Sequence, residues 1–192
     1  NNVATHLGVI GTMRSLGVSL ADAARACCEL QPVPGRMECL QQPGRPLVAV
    51  DYAHTPDALD KALLALRPLA DQRGGQLWCV FGCGGDRDPI KRPLMAAVAE
   101  KNADRVVVTS DNPRTERPEA IISQILLGLT HRDSVEVEAD RARAIAGTVA
   151  AAAPGDVILL AGKGHEPYQE IAGVKHPFDD RAHARRALEA RA

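Results

Sequence analysis

The sequence predicts an α/β fold in which helices flank an open, mostly parallel sheet. Four short segments are rich in β-branched residues and apolar on both alternating faces, as strands buried on both sides of a sheet are; they span 47–50, 77–81, 105–109 and 157–161. Segments with the apolar spacing of helices lie between them. This alternation is typical of parallel strands joined by right-handed helical crossovers.

Four helices are predicted from apolar residues that recur every three or four positions; they span 58–69, 93–101, 118–129 and 141–152. Pro93 and Pro118 stand in the first turns of two of them, where a missing N–H costs no hydrogen bond. Weaker patterns predict a further strand, a hairpin around Gly173 and a last helix, at 135–138, 170–175 and 180–191 respectively.

The beginning of the chain has a different pattern. Helical spacing is present at 3–16 and 19–30, and Ser19 is placed to cap the second helix. The Pro- and Gly-rich segment 32–35 then predicts a hinge or a domain boundary. Because helical pattern begins almost at once after Asn1, which is not Met, we expect the chain to be part of a longer protein.

Composition narrows the classes of function. The 192 residues carry 23 Lys and Arg against 24 Asp and Glu, so bulk charge predicts no nucleic-acid partner. The apolar stretches fall short of the roughly 20 residues needed to cross a bilayer, and we expect no membrane insertion. Five cysteines without CxxC or zinc-finger spacing indicate thiols in a reducing compartment, and hence a cytoplasmic protein.

A polar or Gly-rich loop directly follows each of the four predicted strands; the loops span 51–54, 82–88, 111–114 and 162–166. In open parallel sheets, ligands bind outside the carboxyl ends of the strands. We therefore expect these loops to converge on a single site.

Two of these loops resemble phosphate-binding motifs without matching them. The segment 82–85 lacks the third glycine of a dinucleotide loop, and Arg87 either binds a carboxylate or phosphate or is a solvated loop residue. Gly164 follows Lys163 where a Walker A loop needs Ser or Thr for magnesium. The segment 161–166 is therefore either a substrate-contacting loop or a plain turn.

The loop 111–114 has the sharpest local pattern. Pro113 restrains Asn112 to extended geometry, so the loop presents an amide and the Arg114 guanidinium from a stiff backbone. This arrangement suits bidentate recognition of the carboxylate of an amino acid, and a surface turn is equally compatible with the residues alone. His54 is either a general base or a structural hydrogen-bonding group.

Five strings, in order along almost the whole chain, resemble the Mur ligases of peptidoglycan synthesis, and among them the members that add meso-diaminopimelate. The strings are DYAHTPDAL at 51–59, FGCGGDRD at 81–88, KRPLM at 91–95, DNPRTE at 111–116 and AGKGHE at 161–166. The resemblance implies that 1–35 are the last helices of a central ATPase domain and 36–192 a Rossmann-like carboxy-terminal domain that receives the amino acid. The UDP-sugar domain and most of the ATPase domain, with its phosphate loop and Mg²⁺ ligands, would lie outside this chain.

The resemblance also implies roles for individual residues. It places diaminopimelate on Arg87, Asp111, Asn112, Pro113, Arg114, Gly162 and Glu166. Arg114 would bind the carboxylate at the far, D-configured centre, and Glu166 would pair with an ammonium. ATP would be contacted by Asn2, Arg36, Asp51 and His54, with no catalytic residue and no metal ligand in this chain. Thr5 stands where the family has a second Asn.

The implied reaction is ATP-driven amide synthesis on UDP-MurNAc-L-Ala-D-Glu with Mg²⁺ as cofactor. Two alternatives remain open: a non-catalytic amino-acid-binding module, favoured by the missing Walker A loop, and a related Mur ligase for another amino acid such as lysine. A lysine-adding relative is expected to lack the Arg of the DNPR loop, which is present here as Arg114.

Overall fold

The computed structural model describes residues 2–28 and 33–191. The chain divides into two compact units, Asn1–Val33 and Pro34–Ala192. The first contains helix α1 (Asn2–Ser15) and helix α2 (Leu20–Cys28). The Ser19 hydroxyl accepts a hydrogen bond from the Asp22 N–H at 3.1 Å, which confirms the predicted cap. The helix end predicted at residue 30, part of the predicted hinge and the Asn2 side chain lie outside the described residues.

A six-stranded sheet forms the centre of the second unit. Its strands are β1 (Glu38–Leu40), β2 (Leu47–Asp51), β3 (Leu77–Phe81), β4 (Arg105–Val108), β5 (Val135–Val137) and β6 (Val157–Ala161). The strand order is β1-β2-β6-β3-β4-β5, and all pairs are parallel except β1 with β2. The four apolar strands and the fifth, β5, were predicted. The edge strand β1 was not, because its three residues Glu-Cys-Leu are only partly buried or exposed and form no apolar run.

Five helices and a hairpin complete this unit. They are α3 (Pro56–Arg73), α4 (Lys91–Asn102), α5 (Pro118–Leu126), α6 (Arg141–Ala151) and α7 (Asp180–Ala190), with β7 (Tyr168–Ile171) paired to β8 (Val174–Pro177). A short 3-10 helix spans Arg132–Ser134. Helix α5 ends three residues before the predicted position. A Cβ at Gly128 would lie 1.9 Å from the Pro93 carbonyl oxygen, so the chain passes too close to α4 for any side chain there.

Helices cover both faces of the sheet, so successive residues of one strand pack into two different apolar cores. Ala49 packs with α3, α4 and α5 in one apolar core, while its neighbour Val50 packs with α6 and α7 in the other. Strand β6 lies between β2 and β3, so the loops after β2, β6, β3 and β4 follow one another along one edge. None of the described helices is long and apolar enough to span a bilayer.

Candidate functional site

A cleft of about 400 Å³ opens at the carboxyl ends of β2, β6, β3 and β4. Loops from all four strands contribute to its walls, as the loop pattern predicts. The lining residues are Tyr52, His54, Thr55, Gly84, Arg87, Lys91, Asp111, Asn112, Arg114, Gly162, Glu166 and Tyr168. The walls carry both signs of charge, because three cations (Arg87, Lys91, Arg114) face a cleft that also holds two carboxylates (Asp111, Glu166).

The structure brings together seven of the predicted site residues; they are His54, Arg87, Asp111, Asn112, Arg114, Gly162 and Glu166. Pro113, Arg36 and Asp51 do not line the cleft. Pro113 lies behind the wall, where a Cβ at Gly85 would come within 1.9 Å of its carbonyl oxygen. Pro113 is therefore a backbone neighbour of the loop after β3.

The Asn112 side chain connects the loops after β4 and β6. Its amide nitrogen donates to Glu166 Oε2 at 2.8 Å. Its Oδ1 accepts from the Lys163 ammonium at 3.0 Å and from the Glu170 N–H at 3.0 Å. A residue at the end of one strand thus sets the position of a carboxylate 54 residues further along the chain.

Arg114 is held by backbone and side-chain bonds at once. Its φ of 53° is unusual for a non-glycine residue. Backbone hydrogen bonds between Arg114 and the β7–β8 hairpin stabilise this conformation. The Arg114 N–H donates to the Glu170 carbonyl at 2.9 Å, and the Ala172 N–H donates back to the Arg114 carbonyl at 2.7 Å. Nη1 donates to the Gly85 carbonyl at 2.7 Å, which leaves part of the guanidinium fork directed at the cleft.

Asp111 is the buried carboxylate of the cleft floor. Burial raises the pKa of its carboxyl group, against the opposing charges of Arg141 and Lys163. Its Oδ2 lies against Gly162, where a Cβ would be only 2.7 Å away, and Gly162 has a φ of +114°. Gly162 therefore has two independent reasons to lack a side chain, and its backbone forms part of the cleft wall.

An ion pair that sequence reasoning did not identify joins two of the loops. The buried Arg92 guanidinium binds both oxygens of Glu116, at 2.9 and 2.7 Å, and also donates to the Gly84 carbonyl at 3.1 Å. These hydrogen bonds lower the pKa of Glu116. Both residues occur in strings that carry the family resemblance, so the signal was present, but no spacing rule links positions 24 residues apart.

A cluster of aromatic and cationic groups borders the cleft on the β2 side. The Arg36 guanidinium lies 4.7 Å from the Tyr52 ring centroid, and the His54 ring packs edge-on against the same ring. His54 Nδ1 is 2.8 Å from the Tyr52 carbonyl oxygen, so this nitrogen carries the proton in the neutral ring. Asp51 accepts from the Met37 N–H at 2.8 Å.

Six residues at the cleft were not among the predicted site residues; they are Tyr52, Thr55, Gly84, Lys91, Lys163 and Tyr168. Lys91 Nζ donates to the His54 carbonyl at 3.1 Å, and Lys163 lies beneath the cleft, fully buried. Lys91 and Lys163 both occur in strings that resemble the Mur ligases, KRPLM at 91–95 and AGKGHE at 161–166. Within residues 2–28 and 33–191, no group of three or more His, Cys, Asp or Glu side chains is arranged to hold a metal ion.

Comparison with known proteins identifies the family. The family model described as Mur ligase, glutamate ligase domain, matches residues 35–164. The chain belongs to the Mur ligase family. It is 65% identical over 190 residues to a UDP-N-acetylmuramoyl-L-alanyl-D-glutamate–2,6-diaminopimelate ligase from an Acidovorax species, and 55% identical over 189 residues to the enzyme of that name from Pseudomonas aeruginosa. These alignments cover 99% and 98% of this chain, which spans 38% of the length of each relative.

Solved structures of Mur ligases and their relatives share this architecture. A structure of a 2,6-diaminopimelate ligase of the same name superposes with a TM-score of 0.76 at 42% identity, over 98% of this chain and 38% of that one. A Mycobacterium tuberculosis folylpolyglutamate synthase complexed with ADP and AMPPCP superposes with a TM-score of 0.59 at 25% identity, over 94% and 38% of the two chains.

Proposed function

We propose that this chain is the carboxy-terminal part of an ATP-dependent ligase that adds meso-diaminopimelate to UDP-MurNAc-L-Ala-D-Glu. The observation that carries the proposal is the cleft with cations and carboxylates on the same walls. Diaminopimelate has two carboxylates and two ammonium groups, so it needs partners of both signs at separated points. The names of the relatives that match nearly the whole chain support the same substrate.

Each end of the amino acid has a matching group in the cleft. Arg114 is assigned to the carboxylate at the D-centre, because its planar fork can make two parallel bonds. Glu166 is assigned to an ammonium, and its position is set by the bond from Asn112. Arg87 and the Gly162 backbone are assigned to further contacts with the amino acid on the neighbouring walls. Asp111, Asn112 and Pro113 are assigned to the same ligand as members of the loop that carries Arg114.

The reaction forms an amide in two steps. The γ-carboxylate of D-glutamate takes the γ-phosphoryl group of ATP and becomes an acyl phosphate, and ADP leaves. The L-centre ammonium gives one proton to water, and the resulting amine attacks the acyl carbon. The bond from that carbon to the phosphate oxygen then breaks, phosphate leaves, and the nitrogen gives a second proton to water as the amide forms. The chain's residues bind and orient the amine. Holding it beside the acyl phosphate replaces a bimolecular encounter and is worth about 7–11 kcal/mol in favourable cases.

ATP is assigned to the β2 side of the cleft. Arg36 and Asp51 lie there beside Tyr52, and His54 contributes to the rim. Asn2 is assigned to ATP on the family resemblance alone. Mg²⁺, when bound, would stabilise charge on the transferring phosphoryl group. The described residues hold no metal-binding cluster, so its ligands are assigned to the remainder of the central domain.

The proposed parent protein has three domains. We assign residues 1–35 to the last helices of the central ATPase domain and 36–192 to the amino-acid-binding domain. A cytoplasmic location is supported by the free thiols, among them the buried Cys79 and Cys83, because cysteines used as small apolar residues are typical of a reducing compartment. The partners of this chain are then the two other domains, ATP, the UDP-linked dipeptide and the amino acid.

The test is amide formation by the full-length protein with meso-diaminopimelate, with L-lysine and without an amino acid. We expect ADP release and a UDP-linked tripeptide with diaminopimelate only. Equal use of lysine would overturn the assigned amino acid. Diaminopimelate binding without any amide product would favour the non-catalytic module instead.

A further inference from the structure

Lys163 is a fully buried cation that does not line the cleft. It follows Gly162 after β6, and its side chain extends beneath the cleft floor. The ammonium lies 3.0 Å from Asn112 Oδ1, 3.4 Å from Glu166 Oε2 and 3.7 Å from Asp111 Oδ1. A buried ammonium is costly unless it is paired, so three oxygen partners explain why a lysine is stable there.

The orientation of the Asn112 amide depends on this lysine. An ammonium can only donate hydrogen bonds, so the amide oxygen must face Lys163. The Glu170 N–H donates to the same oxygen, which gives it two donors. The amide nitrogen is thereby turned towards Glu166, to which it donates at 2.8 Å. Without Lys163, the amide oxygen would keep one donor, the Glu170 N–H, and the bond to Glu166 would be the other contact that holds the amide.

The same ammonium balances the charge of the floor. Two carboxylates, Asp111 and Glu166, lie within 4 Å of Lys163. Asp111 Oδ1 is buried and has no hydrogen-bond partner among the described residues, so its charge is compensated by the nearby cations Arg141 and Lys163. Behind the floor, Arg141 interacts with both carboxylates and is itself paired with Asp180, and the Tyr168 ring lies 5.8 Å from the ammonium.

We propose that Lys163 is the positioning residue of the amino-acid site: its buried ammonium holds Asn112 as a donor and Glu166 as an acceptor in the geometry that receives the substrate ammonium. The proposal rests on the proposed function for the nature of the ligand. Lys163 acts through these two residues and does not itself touch the substrate. Its removal should therefore affect binding of the amino acid much more than use of ATP.

Steady-state kinetics of the full-length ligase test this. Lys163→Met keeps an unbranched side chain one heavy atom shorter and removes the charge. We expect the KM for the amino acid to rise roughly 10- to 100-fold, as for lost charge-assisted bonds. The KM for ATP should change by less than about 2-fold. Lys61→Met is the matched control, because Lys61 is an exposed lysine of α3 paired with the exposed Asp57, and it should match the wild type.

A second variant separates positioning from stability. Asp111→Asn combined with Lys163→Met keeps the net charge of the cluster, and so removes the repulsion that could unfold the single variant. The comparison is with Asp111→Asn alone, because Asp111 itself lines the cleft. If Lys163 acts by positioning, the folded double variant has a higher KM for the amino acid than Asp111→Asn. In Lys163→Ala, the KM for the amino acid should also be raised, and added propylammonium should lower it. Equal KM values in the double variant and in Asp111→Asn would overturn the proposal.

A measurement on the wild-type protein needs no variant. Nuclear magnetic resonance should show a Lys163 ammonium whose protons exchange with water far more slowly than those of Lys61. Equally fast exchange would overturn the proposal. If the wild-type enzyme uses an amino acid other than diaminopimelate, the proposed substrate is wrong. The positioning role of Lys163 is then tested in the same way, by the KM for the amino acid that the enzyme uses.

Discussion

The Arg141 guanidinium and the Asp180 carboxylate form a two-bond ion pair in which both side chains are completely buried. The bonds measure 2.8 Å from Nε and 2.7 Å from Nη2. The same guanidinium donates to the carbonyls of Ser110 and Ala161, the residues immediately before Asp111 and Gly162. Burial alone would lower the pKa of Arg141, but Asp180 raises it. The pair joins α6 and α7 to the strand ends behind the cleft.

Asp180→Asn should destabilise the fold strongly. The substitution keeps the shape and leaves the Arg141 charge buried without its partner, which costs about 3–5 kcal/mol in comparable pairs. Denaturant unfolding of this chain measures the loss. Asp57→Asn is the matched control, since Asp57 is exposed and pairs with Lys61 at the surface, where the loss should stay below about 1 kcal/mol. Equal stability of Asp180→Asn and wild type would contradict the assigned importance of the pair.

The Arg92–Glu116 pair should make stability depend on acid pH. Hydrogen bonds from Arg92 lower the pKa of Glu116 from its usual 4.5, so the folded state favours the ionised form. The resulting stabilisation is fully present above pH 4.5 and is lost as pH falls through the lowered value. We expect the difference in unfolding free energy between wild type and Glu116→Gln to be largest near neutral pH and to shrink in acid. A difference that is constant with pH would exclude this linkage.

Arg114 should decide between diaminopimelate and lysine in the full-length enzyme. The two amino acids differ at the far end by one carboxylate, and a charge-assisted bond is worth about 1.5–3 kcal/mol. Arg114→Ala should therefore lower kcat/KM for diaminopimelate roughly 10- to 150-fold, with little change for lysine. Arg114→Lys should recover part of the loss, because it keeps the charge without the fork.

The control for Arg114 is Arg143→Ala, an exposed arginine on α6. Arg143→Ala should leave kcat/KM unchanged for both diaminopimelate and lysine. If the ratio of kcat/KM for diaminopimelate to that for lysine is the same in Arg114→Ala and wild type, discrimination resides in another residue.

Glu166→Gln should impair use of the amino acid far more than use of ATP. The change removes the negative partner of the substrate ammonium while the shape of the side chain is kept. The Asn112 amide can still donate to the new side-chain oxygen, so the loop should remain in place. Separate KM values for the two substrates measure the effect, with the exposed Glu189→Gln as control. Equal rises in both KM values would indicate a role in folding or domain closure.

The isolated chain should fold without hydrolysing ATP. Arg36 and Asp51 can complete a nucleotide site but supply no phosphate loop, and the described residues hold no metal-binding cluster. A phosphate-release assay with Mg²⁺ and ATP should therefore give the same rate as buffer. Turnover that purifies together with the chain would refute the division of labour between the domains.

Local pattern alone was enough to predict most of the elements. The strands at 77–81 and 157–161 were predicted residue for residue, because a strand buried on both faces is apolar throughout and its neighbours in sequence are polar. The four polar loops after the strands predicted one cleft, since parallel strands end at one edge. The limits of α3 and α5 were less accurate, because they depend on the Thr55 cap and on the close approach at Gly128.

The tertiary structure decided what depends on contacts between distant residues. Strand β6, the last strand of the sheet in sequence, lies between β2 and β3, and this order brings Glu166 to Asn112. Lys163 and Glu166 are the two charged residues of the string 161–166, and no periodicity shows that only Lys163 of these two is fully buried. The pairing of Arg141 with Asp180 spans 39 positions. Sequence determines such contacts only through the whole fold, because a charge is stable in the interior only where packing places its partner beside it.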